Sequence, residues 1–310
     1  MDDMLNRFAR LVLALWVLAL LAPSAFALEA AVVLSKRSDA QTAFATALGR
    51  EVSSSASVRL NDAGSTGEAI NEAALKRADV VIAVGTEAAD AIAERSTAPI
   101  LVALISTPNL RALQQRHPRA KLGGFVLDQP LGRHMRLIRA TNPKTTRVGV
   151  LLGPQSAPMR SALAEAGARH GLTMSFETIE DTDALLPALE RLLEGSDAIL
   201  AVPDPIAYSS GTARPILLTT YRYRKPLFGY SQAYVTAGAI ASVYTAPEDA
   251  ARQAGEWLVA QQGAGHIDLP VTEAPRYFSV GVNRHVARSL QYPVPDESAL
   301  LEAIEKRRPH

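Results

Sequence analysis

The sequence AVVLSKRSDAQTAFATALGR, residues 31–50, decides how this chain folds. It begins with a short apolar run, continues through a polar loop, and ends in apolar residues at helical spacing. The stretch VGVLLGPQSAPMRSALAEAG, residues 148–167, has the same layout much further along the chain. A strand, a loop and a helix are therefore predicted at both places.

A second pair of similar stretches follows the first pair. ADVVIAVGTEAADA spans residues 78–91 and SDAILAVPDPIAYS spans residues 196–209, so two units recur in the same order at nearly the same offset. The repeat predicts two lobes of similar architecture. All strand-and-helix units look somewhat alike, and that simpler explanation stays open from the pattern alone.

The fold class follows from the alternation of apolar runs with helical patterns. Several runs contain Val, Ile and Leu without alternation, as strands buried on both faces of a parallel sheet require. We expect an α/β protein with two Rossmann-like lobes. The predicted strands are 31–34, 80–84, 100–105, 148–152, 198–202 and 227–229, and helices are predicted at 40–50, 159–170 and 184–193.

Three further apolar stretches, residues 123–128, 239–244 and 277–282, are predicted to carry the chain between the lobes as a three-strand hinge. A helix is expected over residues 247–261, with Pro247 in its first turn and Glu248 and Asp249 just inside. The first lobe would then comprise residues 28–127 and 245–276, and the second lobe residues 128–244 and 277–310.

The amino terminus has the layout of a secretory signal peptide. Arg7 and Arg10 precede an apolar run over residues 11–22, and Ala25-Phe26-Ala27 forms a small-residue cleavage site. The run is shorter than the roughly 20 residues that a membrane-spanning helix needs. We expect residues 1–27 to be removed and the mature protein to be soluble in the periplasm; an uncleaved anchor is the alternative.

Composition narrows the function further. The 310 residues suffice for two domains, and the net charge of +1 gives no support for nucleic-acid binding. The chain has no cysteine, which excludes disulfides, thiol catalysis and a lipid anchor on cysteine. The six histidines are dispersed, and no glycine-rich nucleotide motif is present. We expect no metal, no cofactor and a monomer.

Candidate binding residues follow the predicted strands, because ligands bind beyond the carboxyl ends of open parallel sheets. Hydroxyl groups there suit a carboxylate, a carboxylate suits an ammonium group, and tyrosines suit a flat or apolar ligand. Each residue could instead be an ordinary helix cap or packing residue. The candidates are Ser35, Thr86 and Ser106 in the first lobe, and Gln155, Asp204, Tyr208, Tyr230 and Ser231 in the second.

One short stretch of the sequence favours an enzyme instead. Gly229-Tyr230-Ser231-Gln232-Ala233 follows a predicted strand and resembles the G-x-S-x-G turn that carries the nucleophile of serine hydrolases. Asp249 and either His266 or His285 follow in the required order. The last position is Ala, however, where that turn prefers Gly, so we expect no catalysis and take a secreted hydrolase as the weakest alternative.

The sequence from residue 31 to residue 295 resembles a solute-binding protein family of ABC transporters that includes tryptophan- and tyrosine-binding members. The most specific stretch is KPLFGYSQAYVTAGAIASVYTAPEDAARQAGEWL, residues 225–258, and PRYFSVGVNRHVARSL, residues 275–290, is similar to the family's last crossing and helix. The resemblance implies a type I periplasmic-binding-protein fold. It also implies that Thr86 contacts the ligand, and Pro203-Asp204 matches a Pro-Asp pair of the family.

The resemblance implies that the protein captures a small molecule between its lobes and delivers it to an ABC-type importer. A ligand-sensing subunit that partners a membrane sensor kinase is the alternative. Ser106-Thr107-Pro108 stands where the family often has Thr-Asp-Pro, and Ser231-Gln232 stands near a position that is often acidic. Acidic partners for an amino group are therefore fewer than in the family pattern, so the resemblance does not imply an amino-acid ligand.

Overall fold

Two sheets with helices on their faces make up the part of the chain that the computed structural model describes, residues 27–55, 57–263 and 266–306. The strands are β1 (Leu28–Leu34), β2 (Val58–Ser65), β3 (Val80–Val84), β4 (Ile100–Ile105), β5 (Leu122–Val126), β6 (Arg147–Leu152), β7 (Thr173–Thr178), β8 (Ala198–Leu200), β9 (Leu227–Gly229), β10 (Ala241–Tyr244) and β11 (Ser279–Val282). The helices are α1 (Asp39–Ser53), α2 (Glu72–Arg77), α3 (Thr86–Ile92), α4 (Thr107–Arg116), α5 (Leu131–Thr141), α6 (Arg160–Arg169), α7 (Leu185–Gly195), α8 (Ser210–Arg222), α9 (Gln232–Ala237), α10 (Pro247–Ala260), α11 (Arg284–Ser289) and α12 (Glu297–Glu305).

The first sheet has five parallel strands in the order β2-β1-β3-β4-β5. Every residue of β3 is buried, because helices cover both faces of the sheet. Helix α10 comes late in the chain and still packs here: its Ala254 and Leu258 join Phe44 and Leu48 of α1 in one apolar core. This sheet with α1 to α4 and α10 is the first lobe.

The second sheet has six strands in the order β11-β10-β9-β8-β6-β7, and only the β10–β11 pair is antiparallel. Its core includes Leu300 and Ile304, so the last described helix, α12, packs against this sheet and against α5. The sheet with α5 to α9, α11 and α12 is the second lobe. The predicted α/β architecture with two mostly parallel sheets is confirmed.

The strand positions differ from the sequence prediction at the sheet edges. Two strands, β2 and β7, were not predicted, and each lies at the edge of its sheet. The predicted strand 198–202 ends at Leu200, although Ala201 and Val202 stay buried in the following loop. The stretches predicted as crossings are largely sheet strands, β5, β10 and β11, and the chain passes between the lobes only beyond their ends.

Hydrogen bonds tie the three crossings together. The Gln129 amide donates to the hydroxyl of Thr245 (2.6 Å), and that hydroxyl donates to the carbonyl oxygen of Tyr277 (3.4 Å). Arg133 donates to Gln129 and to the carbonyl oxygen of Pro275, both at 2.8 Å. Each crossing therefore contributes at least one residue to a single connected network, which we call the hinge network: Gln129, Arg133, Thr245, Pro275 and Tyr277.

The crossings leave both sheets at the same kind of edge. The first follows β5 directly, at the carboxyl end of a fully parallel sheet. The second follows Tyr244, the last residue of β10, and the third enters β11 at Ser279, which pairs with Tyr244. The carboxyl edges of both sheets are therefore next to the hinge network. From this placement we infer that the loops that follow the strands of one lobe open toward those of the other, and we call the space between them the cleft.

The predicted signal peptide lies outside the described residues, apart from Ala27. Among the described residues, no helix combines the length and the apolar character that a membrane span requires.

A histidine lies within the core of the second lobe. His134 on α5 is buried beside Met135, Leu137 and Ile138 of the same helix, and its Nδ1 makes no hydrogen bond within the described chain. Burial, assisted by the positive charge of Arg133, lowers the pKa of His134 from its ordinary 6.5 to about 4. The imidazole is therefore neutral in the folded protein at every pH at which the protein is expected to work.

We expect the free energy of unfolding to fall between pH 6.5 and pH 4. In that range the unfolded chain binds a proton at His134 and the folded chain does not, so the loss reaches about 3 kcal/mol. Asp197, whose pKa of about 2 reflects hydrogen bonds from Arg147 and Thr146 that outweigh burial, contributes only below this range. Urea unfolding of the protein and of His134→Leu at several pH values measures this loss. If the free energy of unfolding changed equally with pH in both proteins between pH 6.5 and pH 4, the assignment to His134 would be contradicted.

Candidate functional site

Ser35 and Gly85 shape the first-lobe side of the cleft. Ser35 follows β1, and its hydroxyl donates to the carbonyl oxygen of Val84 (3.0 Å) and accepts the Ala88 N–H (2.9 Å) in the first turn of α3. Gly85 has a φ of +92°, and a Cβ there would lie 2.6 Å from the Ser35 hydroxyl. Ser35 thus fixes the loop before α3. Both the backbone conformation and the closeness of this hydroxyl favour glycine at position 85.

Thr86 is held at the cleft edge by this loop. It is the first residue of α3, is partly exposed, and makes no side-chain hydrogen bond within the residues that the structure describes. Its hydroxyl is therefore available to a ligand. Ser106 is similar: it precedes α4, is partly exposed, and does not cap that helix through its side chain.

Asp128 takes the capping role at α4. It follows β5, and its Oδ2 accepts the N–H of Thr107 (2.6 Å), where a negative charge is favoured by the helix dipole. Sequence reasoning did not single out this residue. An acidic residue two positions before Pro130, at the end of a parallel strand, was the available signal.

Asp204 is the central polar group of the second-lobe side. It is 4% exposed, and its carboxylate accepts four hydrogen bonds: from the N–H and hydroxyl of Ser156 (2.9 and 3.0 Å) and from the N–H groups of Ile206 and Ala207 (2.9 and 3.0 Å). Burial alone raises the pKa of Asp204, but these bonds outweigh burial and hold the pKa below its ordinary value.

The carboxylate of Asp204 joins two loops of the same lobe. The loop after β6 contains Ser156, and the loop after β8 contains Ile206 and Ala207. Gly153 lies against the carboxylate so closely that a Cβ would be 2.1 Å from Oδ1. The sequence suggested that Asp204 could hold an ammonium group; its four acceptor interactions are all made within its own lobe. Gln155, by contrast, is exposed on the loop after β6.

Three tyrosines pack together beside these loops. Tyr208 meets Tyr230 and Tyr234 edge-on, with ring centroids 6.4 and 6.2 Å apart, and the rings of Tyr230 and Tyr234 are 5.0 Å apart. Tyr208 and Tyr234 are buried, and burial raises the pKa of both. Only Tyr230 is partly exposed, and its hydroxyl donates to the carbonyl oxygen of Tyr208 (3.3 Å). An aromatic surface at the cleft edge is thus provided by Tyr230, supported by the other two rings.

Ser231 is a helix cap. Its hydroxyl accepts the N–H of Tyr234 (3.3 Å) at the start of α9. Asp249, the acid of the hydrolase alternative, accepts from Ser279 and from the Ala246 N–H in the third and second crossings. His285 contacts Arg288. These contacts give each member of the suggested triad a different structural partner.

Metal ligands do not cluster here. Within residues 27–55, 57–263 and 266–306, no group of three or more His, Asp or Glu side chains is arranged to hold a metal ion. The candidate residues at the carboxyl edges of the sheets instead offer hydroxyls, an amide and an aromatic ring, which are groups common in small-molecule sites.

The chain belongs to the family of ABC transporter substrate binding proteins, whose model matches residues 53–306. No curated protein matches the chain.

Solved structures show the same fold at low sequence identity. A conserved domain protein from Vibrio cholerae is 20% identical, with a TM-score of 0.57, over 88% of this chain and 97% of the other. An ABC domain in complex with L-Trp from Streptococcus pneumonia is 17% identical, also with a TM-score of 0.57, over 88% and 98%. A ligand-free, open substrate binding protein with adhesive properties from Clostridium difficile is 16% identical, with a TM-score of 0.70, over 87% and 97%.

We expect Gly153→Ala to destabilise the protein by about 3 kcal/mol, because the new methyl group must displace the buried Asp204 carboxylate or the loop that carries Ser156. Gly195→Ala is the matched control in the same lobe, where no atom lies within 4 Å of the added Cβ. Its stability should change by no more than about 1 kcal/mol. Chemical unfolding of both variants gives the comparison, and similar values would show that the carboxylate can move.

Proposed function

We propose that this protein captures a small molecule in the cleft and delivers it to an ABC-type importer, acting as a monomer in the periplasm without catalysis. The observation that carries the proposal is the position of the crossings. All three leave at the carboxyl edges of the two sheets, so the loops that bind ligands in parallel sheets are opposed across a bendable hinge network. The family to which the chain belongs supports the importer as the partner.

The lobes that close would be residues 28–127 with 245–276 and residues 128–244 with 277–310. We propose that Thr86 and Ser106 contact the ligand from the first lobe, and that Gln155 and Tyr230 contact it from the second. These four side chains are partly or fully exposed at the ends of strands or in the loops that follow them. The other four candidates position these contact residues, because each one holds one of the loops or rings in place: Ser35, Asp204, Tyr208 and Ser231.

The chemistry of these groups favours a neutral or anionic ligand with a flat or apolar part. A buried ammonium group needs a carboxylate with free acceptor positions, and Asp204 already accepts four hydrogen bonds. The hydroxyls of Thr86 and Ser106 and the amide of Gln155 can donate to a carboxylate or a hydroxyl. The ring of Tyr230 provides apolar contact area.

The proposal is tested first by a thermal-shift screen of the mature protein against amino acids, aromatic acids, aliphatic organic acids and polyols. A ligand at a hundred times its Kd stabilises the folded state by about 2.7 kcal/mol, which is easily detected. We expect aromatic or aliphatic acids to raise the melting temperature more than amino acids that carry no net negative charge. Stabilisation only by cationic compounds would contradict the assigned chemistry.

Two substitutions then separate binding from structural roles. We expect Thr86→Val to weaken binding of the compound found in the screen about tenfold without lowering the melting temperature, because it removes one ligand hydrogen bond and keeps the shape. Thr173→Val is the matched control, since Thr173 is exposed at the opposite edge of the second sheet. Asp204→Asn should instead lower the melting temperature. Calorimetry that shows equal affinity for Thr86→Val and the control would exclude Thr86 from the site.

A further inference from the structure

A groove of about 570 Å³ opens in the second lobe between the carboxyl-terminal ends of α8 and α11. Its walls include Leu218, Tyr221, Arg222, Arg224, Ser289 and Leu290. The volume is within the range of sites that bind small molecules.

The groove lies away from the cleft. Helix α8 leads through a short turn to Leu227, the first residue of β9, and α11 follows Val282, which pairs with the first residue of β10, Ala241. The end of α8 is therefore at the amino edge of the second sheet, and the hydrogen bond between Tyr221 and Ser289 keeps the end of α11 beside it, whereas the cleft is at the carboxyl edge. A ligand in the groove would not compete with a ligand in the cleft.

The floor of the groove is apolar and accessible. Leu218 is 59% exposed and Tyr221 is 47% exposed, and their spacing of three residues puts these two large apolar side chains side by side on one face of α8. The Tyr221 hydroxyl hydrogen-bonds to the hydroxyl of Ser289, so the floor joins the two helices and is held in one arrangement.

The rim of the groove is cationic. Arg222 and Arg224 line it. Lys225 follows Arg224 in the sequence, and Arg288 precedes the lining residue Ser289. Among the described residues, Glu190 is the only carboxylate that forms an ion pair with any of these four, through a 3.4 Å contact with Arg222. The rim therefore keeps a positive excess that is not neutralised by the protein itself.

The carbonyl groups at the two helix ends do not cancel this charge. The N–H groups of Arg224 and Lys225 donate to the carbonyl oxygens of Tyr221 and Thr220, and the N–H of Tyr292 donates to that of Ala287. These bonds satisfy acceptors that would otherwise favour a cation. The guanidinium groups are left as the dominant charges at the groove.

Arg224 has a backbone conformation that usually belongs to glycine. Its φ is +55°, at the position after α8 where helices commonly end with Gly, and Gln291 has a φ of +53° at the corresponding position after α11. A side chain at such a position is unfavourable compared with Gly. Retaining Arg there places a cation on a short, hydrogen-bonded turn at the edge of an apolar floor.

We propose that this groove is a second binding site, for an amphipathic organic anion: an aromatic or alkyl body with a carboxylate, sulfonate or phosphate head. The body would cover Leu218 and Tyr221, and the head would accept paired N–H groups from Arg222 and Arg224, as guanidinium groups offer to such heads. The site does not depend on the proposed function, because it lies outside the cleft.

The test uses 8-anilinonaphthalene-1-sulfonate and its uncharged counterpart N-phenyl-1-naphthylamine, which has the same apolar body without the sulfonate. We expect saturable binding of the sulfonate to the purified mature protein, weakened about tenfold in Arg224→Gly. Arg169→Ala, at the exposed end of α6, removes the same charge elsewhere in the lobe, and Gln291→Gly relieves the same backbone conformation without removing a charge. Both should bind as the parent protein does.

Folding is controlled within this set, since Arg224→Gly and Gln291→Gly should both keep or raise the melting temperature. Leu218→Glu, a change at an exposed position, should also weaken binding of the sulfonate. Equal affinity of the parent protein and Arg224→Gly, an equal loss in Arg169→Ala, or equal binding of the uncharged probe would overturn the proposal. Parallel titrations with decanoate and with phosphatidylglycerol vesicles tell whether a free amphiphile or a lipid headgroup is the better ligand.

Discussion

The hydroxyl of Thr245, a residue of the second crossing, connects the other two crossings. It accepts a hydrogen bond from the Gln129 amide of the first crossing and donates one to the Tyr277 carbonyl oxygen of the third. Within residues 27–55, 57–263 and 266–306, each lobe has its own apolar core, and no core cluster contains residues from both sheets. The geometry between the lobes therefore depends on a few polar contacts, which can rearrange at small cost compared with a packed core. Arg133 strengthens the network by stacking on Phe278, 4.0 Å from the ring centroid.

Rigid loops at the cleft complement this bendable connection. On one side the Ser35 hydroxyl holds the start of α3, and on the other the Asp204 carboxylate holds the loops after β6 and β8 together. Buried, fully satisfied polar groups of this kind fix a local structure more than they add net stability. In the proposed binding mode each lobe therefore presents a preformed half-site, and closure brings the two halves together without reorganising either one.

The sequence was sufficient to predict the central strands, because strands such as β3 and β4 are buried on both faces and must be apolar throughout. The edge strands β2 and β7 escaped prediction for the opposite reason. Val58–Ser65 and Thr173–Thr178 have a neighbour on one side only, and their exposed positions hold polar residues. The assignment of residues 245–276 to the first lobe stays a prediction from the crossing pattern; α10 packs against Phe44 and Leu48 of α1.

Residue roles in the site were harder to predict than residue positions. Asp204, Tyr208 and Ser231 do follow strands of the second sheet, as expected, but only three-dimensional contacts show that Asp204 accepts four hydrogen bonds within its lobe and that Ser231 caps α9. A carboxylate that binds ligand and one that joins two loops look the same in a sequence. Asp128 was overlooked because its partner, the Thr107 N–H, is far away along the chain and is a backbone group.

Closure about the hinge network is the central claim, and the absence of native cysteine makes it directly measurable. Glu87→Cys on α3 and Glu180→Cys on the loop after β7 provide attachment points for spin labels at exposed positions at the carboxyl edges of the two sheets, and neither residue is a proposed ligand contact. The labelled protein is saturated with a compound whose binding has been measured by calorimetry. Pulsed electron–electron double resonance should then show a shorter mean distance and a narrower distance distribution than in the free protein. An unchanged distribution in the saturated protein would contradict closure and the two-lobed binding site with it.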